Sequence, residues 1–323
     1  MCHSLSDVPD IIDTWNEGKV VDIEGYYENA KINRVYVDRV HVKKAFAEYT
    51  AAYNADDPKI KLKIDHTYRV AALCERIAKA AGMCAYDVEL AWLSGMLHDV
   101  GRFEQIKRYN TFSDADSVDH AKFGADLLFK DGLISTFLKG MVKCTGYKPG
   151  ALEDRYDSDG VFLYDRLNKS DMEMLELAIR CHNMYRIPQG LNCREQAFCN
   201  VLRDADKVDI FKVNIDTPLE EIYNTTTEEL MKSDITDEVL EAFDEEHCIL
   251  KAIRRTPADT VIGHVSLAYE LVYDESVRIT VEQGYLAKLM HFHSDNEETN
   301  RKMAMVREKM DSYVKKRIVE KDA

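Results

Sequence analysis

Residues 86–101, YDVELAWLSGMLHDVG, are apolar on nearly every face that a helix would present, and the run ends in the pair His98 and Asp99. A helix of that kind belongs at the centre of a protein, so the rest of the chain must surround it with other elements. With 323 residues, 46% of them apolar, the chain is long enough to do so.

Helices are expected to do the surrounding. Only six prolines and fourteen glycines interrupt the chain, and no repeat or low-complexity tract is present. The stretch DPKIKLKIDHTYRVAALCERIAKAAG starts at Asp57 and Pro58, keeps Val70, Leu73, Ile77 and Ala81 on one stripe, and stops at Gly82. After a polar loop over 105–116, SVDHAKFGADLLFKDG reads as a helix with an Asp116/Ser117 cap and a Gly132 stop. ISTFLKGMVKCTG, SDMEMLELAIRCHNMYRIP (halted before Pro188) and REQAFCNVLRDADKVDIFKVN follow with the same periodicity. RVYVDRVHVKKAF fits a strand by its alternation and a helix by its right-hand half.

From about residue 214 the pattern stays helical and turns acidic. The last helix aligns Met303, Val306, Met310 and Tyr313, a stripe that needs cover: it either closes over a site or pairs with a second copy as a homodimer. No linker divides the chain. It reads as a single domain over 1–323, with an N-terminal extension 1–56, a core of about 57–213 and a helical C-terminal extension 214–323.

The net charge of −15 disfavours a nucleic-acid polymer as partner, because no diffuse basic surface exists to displace counterions; small anions need only a few local cations. No apolar run is long enough for a membrane, and the first residues do not read as a leader, so a cytoplasmic protein is expected. Cys2, Cys74, Cys84, Cys144, Cys181, Cys193, Cys199 and Cys248 form no CxxC pair and read as reduced thiols.

The polar intrusions on the apolar helices are selective. His66, His98, Asp99, His120, His182 and Asp206 come from five different helices. One buried histidine is ordinarily satisfied by a backbone carbonyl, but four imidazoles and two carboxylates in one core are costly unless paired or bound to a cation. His3, His41, His247, His264, His291 and His293 have no partner at ligand spacing and are read as non-catalytic.

The residues in DHTYRVA (His66), LHDVGR (His98, Asp99) and RDADKVD (Asp206) make the chain resemble the HD-domain metal-dependent phosphohydrolase superfamily, over roughly 57–213. That resemblance implies an all-α helical bundle. His120 and His182 stand where binuclear members add two histidines. It implies one divalent transition metal (Fe, Mn, Co, Ni or Zn) on His66, His98, Asp99 and Asp206, and a second on Asp99, His120 and His182, with Asp99 bridging. A metal-bridging hydroxide would then attack a phosphate mono- or diester of a small molecule, most plausibly a nucleotide. The lack of a Gly-Tyr-Pro motif after the His-Asp pair argues against the cyclic-dinucleotide branch named for it.

Arg102, after a Gly101 read as the helix stop, Lys207 beside Asp206, and Arg69 one turn beyond His66 are the candidates to meet substrate phosphate, with Asp99, Arg102 and Lys207 as the catalytic set. Their alternative is an ordinary surface ion pair. Asp209 is expected to orient a ligand histidine, with Arg203 and Asp204 supporting; Tyr147 and Tyr185 are placed near the rim. Glu104 is read as a solvated loop acid, its alternative a proton donor to the leaving group. Two other functions use the same residues: a di-iron oxygenase similar to myo-inositol oxygenase, and a nucleotide-binding sensor without turnover.

Overall fold

The computed structural model describes residues 37–138, 169–220 and 225–319, and among them every regular element is helical. Tyr147, and the helix and loop expected from about 139 to 150, lie outside the described residues.

From Arg39 the ambiguous N-terminal stretch is a helix, α1 (Arg39–Thr50), whose first N–H groups are capped by Asp38; its residues 34–36 lie outside the described residues. Its inner face, with Val42, Ala45 and Phe46, needs the 3.6-residue spacing rather than alternation. α2 (Pro58–Ala80) starts as expected, with Asp57 accepting from the Lys59 N–H, and ends before Gly82, whose φ is +72°. α3 (Ala85–Leu97) is the helix buried all round, with Leu90 through Leu97 enclosed. α2 lies along α3 and along α8 (Cys193–Asp216), which Asn192 and Glu195 start with a reciprocal capping box.

Three boundaries differ from expectation. α4 (Val100–Tyr109) contains Gly101, so that glycine does not end a helix, and the polar loop begins only after Tyr109. The cap of α5 (His120–Ala125) is Asp119, not Asp116 or Ser117, and α5 continues through a wider turn over Asp126–Lys130 before Gly132. The short α6 (Ile134–Leu138) packs on α1, and α7 (Lys169–Cys181) stops one residue before His182 rather than at Pro188.

The C-terminal extension folds as α9 (Thr227–Lys232), α10 (Asp237–Asp244), α11 (Pro257–Val265), α12 (Asp274–Gln283), α13 (Tyr285–Met290) and α14 (Glu297–Val319). Met303, Val306 and Met310 of α14 are buried in their own chain, in an apolar cluster that includes Phe211 of α8, while the larger cluster holds α1 to α7 and most of α8. The stripe that needed cover is filled intramolecularly. α8 is thus the shared spine of both clusters. Asp204, on its inner face, fixes the extension to it by accepting from the Val272 and Tyr273 N–H groups (3.0 and 2.9 Å) and from the Ser276 hydroxyl (2.7 Å). No helix among the described residues is long and apolar enough to cross a membrane.

Candidate metal centre

Two bare helix crossings bring the polar residues together. A Cβ on Gly95 of α3 would lie 2.6 Å from the Ala71 Cα of α2, so only glycine lets these helices touch at the depth that places His66 beside His98. A Cβ on Gly101 would lie 2.4 Å from the His120 carbonyl, and it is this crossing of α4 with α5 that carries His120 to Asp99. Between α3 and α4 the chain breaks at Asp99 (φ −106°, ψ 16°), which turns its carboxylate into the gap.

Each carboxylate oxygen of Asp99 faces a different pair of imidazoles. Oδ2 lies 3.6 Å from His66 Nε2 and 3.5 Å from His98 Nε2, which are 3.3 Å from each other. Asp206 Oδ1 completes that group, 3.2 Å from His66 Nε2 and 3.9 Å from His98 Nε2. Oδ1 of Asp99 lies 3.4 Å from His120 Nε2 and 3.7 Å from His182 Nε2, which are 3.0 Å apart. Ligands held about 2.1 Å from one ion are separated from each other by roughly 3.0–3.4 Å, and the separations here, 3.0 to 3.9 Å, are within about half an ångström of that. All six expected ligands are brought together; Asp99, His120 and His182 form one group that could hold a cation and His66, His98 and Asp99 another.

Hydrogen bonding supplies a test of that fit. His98 Nδ1 donates to the Gly95 carbonyl (2.8 Å) and His182 Nδ1 to the Ile179 carbonyl (2.7 Å), while His120 Nδ1 faces the Asp114 carboxylate (2.7 Å). A carbonyl or ionised carboxylate only accepts, so each of these Nδ1 atoms bears the proton and each Nε2 presents a lone pair. His120 Nε2, His182 Nε2 and Asp99 Oδ1 therefore converge as three acceptors, and Asp99 Oδ1 is buried with no hydrogen-bond donor. Such a cluster fits a cation.

The charge states agree. Burial pushes Asp99 up, but Lys63, His98, His120 and Arg102 outweigh it and hold the carboxyl well below its usual range. Asp206 is likewise pulled far down by His66, against burial. Burial keeps His120 and His182 neutral, with pKa values lowered to about 4. His66 goes the other way: burial and Lys63 depress it, yet Asp206 and Asp209 raise it overall.

Asp209 takes the orienting role expected of it, receiving His66 Nδ1 at 2.6 Å. Arg69, expected at the substrate phosphate, instead grips both oxygens of Asp209 at 2.6 and 2.9 Å and is not among the residues lining the cavity. Arg102 does reach the cavity, but its Nη1 is committed to Gln105, the Phe112 carbonyl and Asp114, and its Nε, 3.8 Å from Asp99 Oδ1, is buried without an acceptor. Lys207 lines the cavity 8% exposed, and burial together with Arg203 lowers its pKa to about 8. Arg203 donates to the carbonyls of His182, Met184 and Tyr185 and so pins the loop that carries His182. Tyr185 is at the rim as expected, its hydroxyl donating to the Cys248 carbonyl (2.9 Å). Glu104 is a helical residue that accepts from Tyr53 (3.0 Å) and Arg108 (3.0 Å) and does not line the cavity, so it is neither a loop acid nor placed to protonate a leaving group.

Two residues were missed. Lys63, one turn before His66 on the same face of α2, binds Asp99 Oδ2 at 2.7 Å; that spacing was a readable signal. Asp114 gathers Arg102, Gln105 and His120 from a loop whose path no local pattern announces. Above the centre lies a cavity of about 520 Å³, walled by these residues and by residues 248–254, His264, Leu267 and Glu270 of the extension.

Residues 64–211 match the family model described as HD domain. Comparison with curated proteins and with solved structures finds no match. The match spans every candidate ligand, so this segment of the chain is similar to the HD domain.

Proposed function

We propose that the protein is a metal-dependent phosphohydrolase that cleaves a phosphate mono- or diester of a small molecule, a nucleotide being the class that best suits the cavity. The observation that carries this reading is the split use of Asp99, whose Oδ2 and Oδ1 face separate imidazole groups at 3.5–3.6 Å and 3.4–3.7 Å, the arrangement of a carboxylate bridging two ions. When bound there, two divalent transition ions supply an activated water and neutralise phosphate charge. The chain's own residues do the rest. Asp114 and Asp209 orient His120 and His66, Arg203 holds the His182 loop, and Arg102, Lys63 and Lys207 give the cavity cations that a phosphate ester requires.

The cationic lining favours hydrolysis over a di-iron oxygenase acting on a neutral polyol, which has no use for it; a phosphonate oxygenase would use the same cations, and the experiment separates the two. Metal analysis with a panel of phosphate mono- and diesters tests the proposal: phosphate release under anaerobic conditions is expected. Oxygen uptake on a polyol or phosphonate with iron bound, or tight nucleotide binding by a metal-replete protein that turns nothing over, would replace it with the oxygenase or the sensor.

A further inference from the structure

The cavity has more positive charge than one phosphate needs, and part of it comes from the C-terminal extension, beyond the residues that match the HD domain. Arg254 donates through Nη2 to the carbonyls of Ile249 (2.5 Å) and Gly263 (3.4 Å), while its Nε is buried without an acceptor. No carboxylate pairs with it among the described residues. Lys251 lies next to it on the same lining, exposed toward solvent. Lys207 reaches the cavity from α8 and makes no hydrogen bond or ion pair among the described residues, although it is only 8% exposed. A buried ammonium and a buried guanidinium edge without partners are costly unless a ligand supplies the acceptors.

The acids on the lining are engaged on the side of α8: Asp99, Asp114 and Asp206 belong to the candidate metal centre, and Glu270, which accepts from the Cys248 N–H at 3.3 Å, attracts Lys207 and not Arg254. Arg254 and Lys251 also act on a common point, since after burial they are the groups that depress His264, to about 3. The lining also carries the apolar side chains of Ile210, Ile249 and Leu267. A volume of about 520 Å³ is that of a cavity for a whole small molecule rather than for a single phosphate group, such cavities running from roughly 300 to 1,000 Å³.

We propose that Arg254 and Lys251 form a second anion subsite, so that the substrate is a phosphate ester whose far end carries another phosphate or a carboxylate, joined to the first by an apolar or ring-shaped body lying on Ile249 and Leu267. This rests on the hydrolase reading for the first phosphate alone. The subsite makes the extension a determinant of specificity: it selects esters with two separate anionic groups over esters of the same body with one.

The test is calorimetric binding to the full-length, metal-loaded protein, with adenosine 5′-monophosphate and adenosine 3′,5′-bisphosphate as probes and with Arg254→Gln and Lys251→Glu beside the wild type. The bisphosphate is expected to bind roughly tenfold or more tightly than the monophosphate, and each variant to move that ratio toward one. A wild-type ratio near one, or a ratio that both folded variants keep, overturns the subsite. Lys251 is exposed, so its variant decides the matter even if Arg254→Gln does not fold. Binding is read without turnover: a failed hydrolase reading shows as an ester panel without phosphate release, a failed subsite as a flat ratio in a protein that still hydrolyses esters.

Discussion

Asp114 accepts the Nδ1 proton of His120 at 2.7 Å, and in doing so it decides which nitrogen of that ring faces His182 and Asp99. Replacing Asp114 with Ala is expected to weaken binding of an ion at Asp99, His120 and His182 by roughly 10- to 100-fold, while the His66 group keeps its ion. Metal content by mass spectrometry after dialysis against buffered metal checks it; an unchanged stoichiometry counts against the orienting role.

Arg69 and Lys207 are expected to respond differently. Arg69→Gln removes a partner from Asp209, so affinity for the ion at His66 falls by roughly tenfold while KM for a phosphate ester stays within about twofold. Lys207→Gln should raise KM and leave metal content intact. Steady-state kinetics with metal titration distinguish the two, and the opposite pattern at Arg69 restores the sequence-based expectation that it meets substrate phosphate.

Gly101→Ala places a methyl group 2.4 Å from the His120 carbonyl, so α4 and α5 must separate. A loss of about 1–3 kcal/mol is expected from the strain. Because the separation carries His120 away from Asp99, metal stoichiometry should fall as well. A variant with wild-type melting temperature and metal content would show that the crossing has slack.

Acid should destabilise the chelated protein. The pKa values of His120 and His182 are lowered to about 4 and that of His264 to about 3, against about 6.5 in the unfolded chain, so the unfolded state binds protons first as pH falls. Their contribution is full above about pH 6.5 and is lost toward pH 4, with a slope of about 1.4 kcal/mol per pH unit for each group. Burial lowers His98 as well, and only His66, raised by its two carboxylates, works in the opposite sense among these site histidines. Urea midpoints at pH 7.5 and pH 5 give the sign; equal midpoints would mean that these rings are hydrated.

Asp99 is the shared element, so Asp99→Ala combined with His98→Ala is expected to abolish metal binding at both groups and reduce phosphatase activity to background. Retention of metal and activity would remove the metal centre from the account altogether.

The six candidate ligands stood out because each is the wrong residue type for the apolar face it occupies, and family resemblance then ordered them. Gly101 was misread because glycine near a run's end signals a stop, whereas here the demand is a close helix crossing, which only the three-dimensional path reveals. Arg69 misled for a related reason: its spacing from His66 correctly puts the two on one face, but Asp209, 140 positions away, decides what the guanidinium binds. Asp114 and the wall at 248–254 carry no periodicity, and their roles come from loops brought over the site by contacts such as Tyr185 with Cys248.

The His66–Asp209 contact joins residues 143 positions apart. That contact exists only once α2 and α8 have packed together, so the unfolded chain lacks it. Ions held at the candidate centre would therefore bind the native chain in preference to the unfolded one, and free metal would stabilise the whole fold by mass action, by an amount that grows with the logarithm of its concentration.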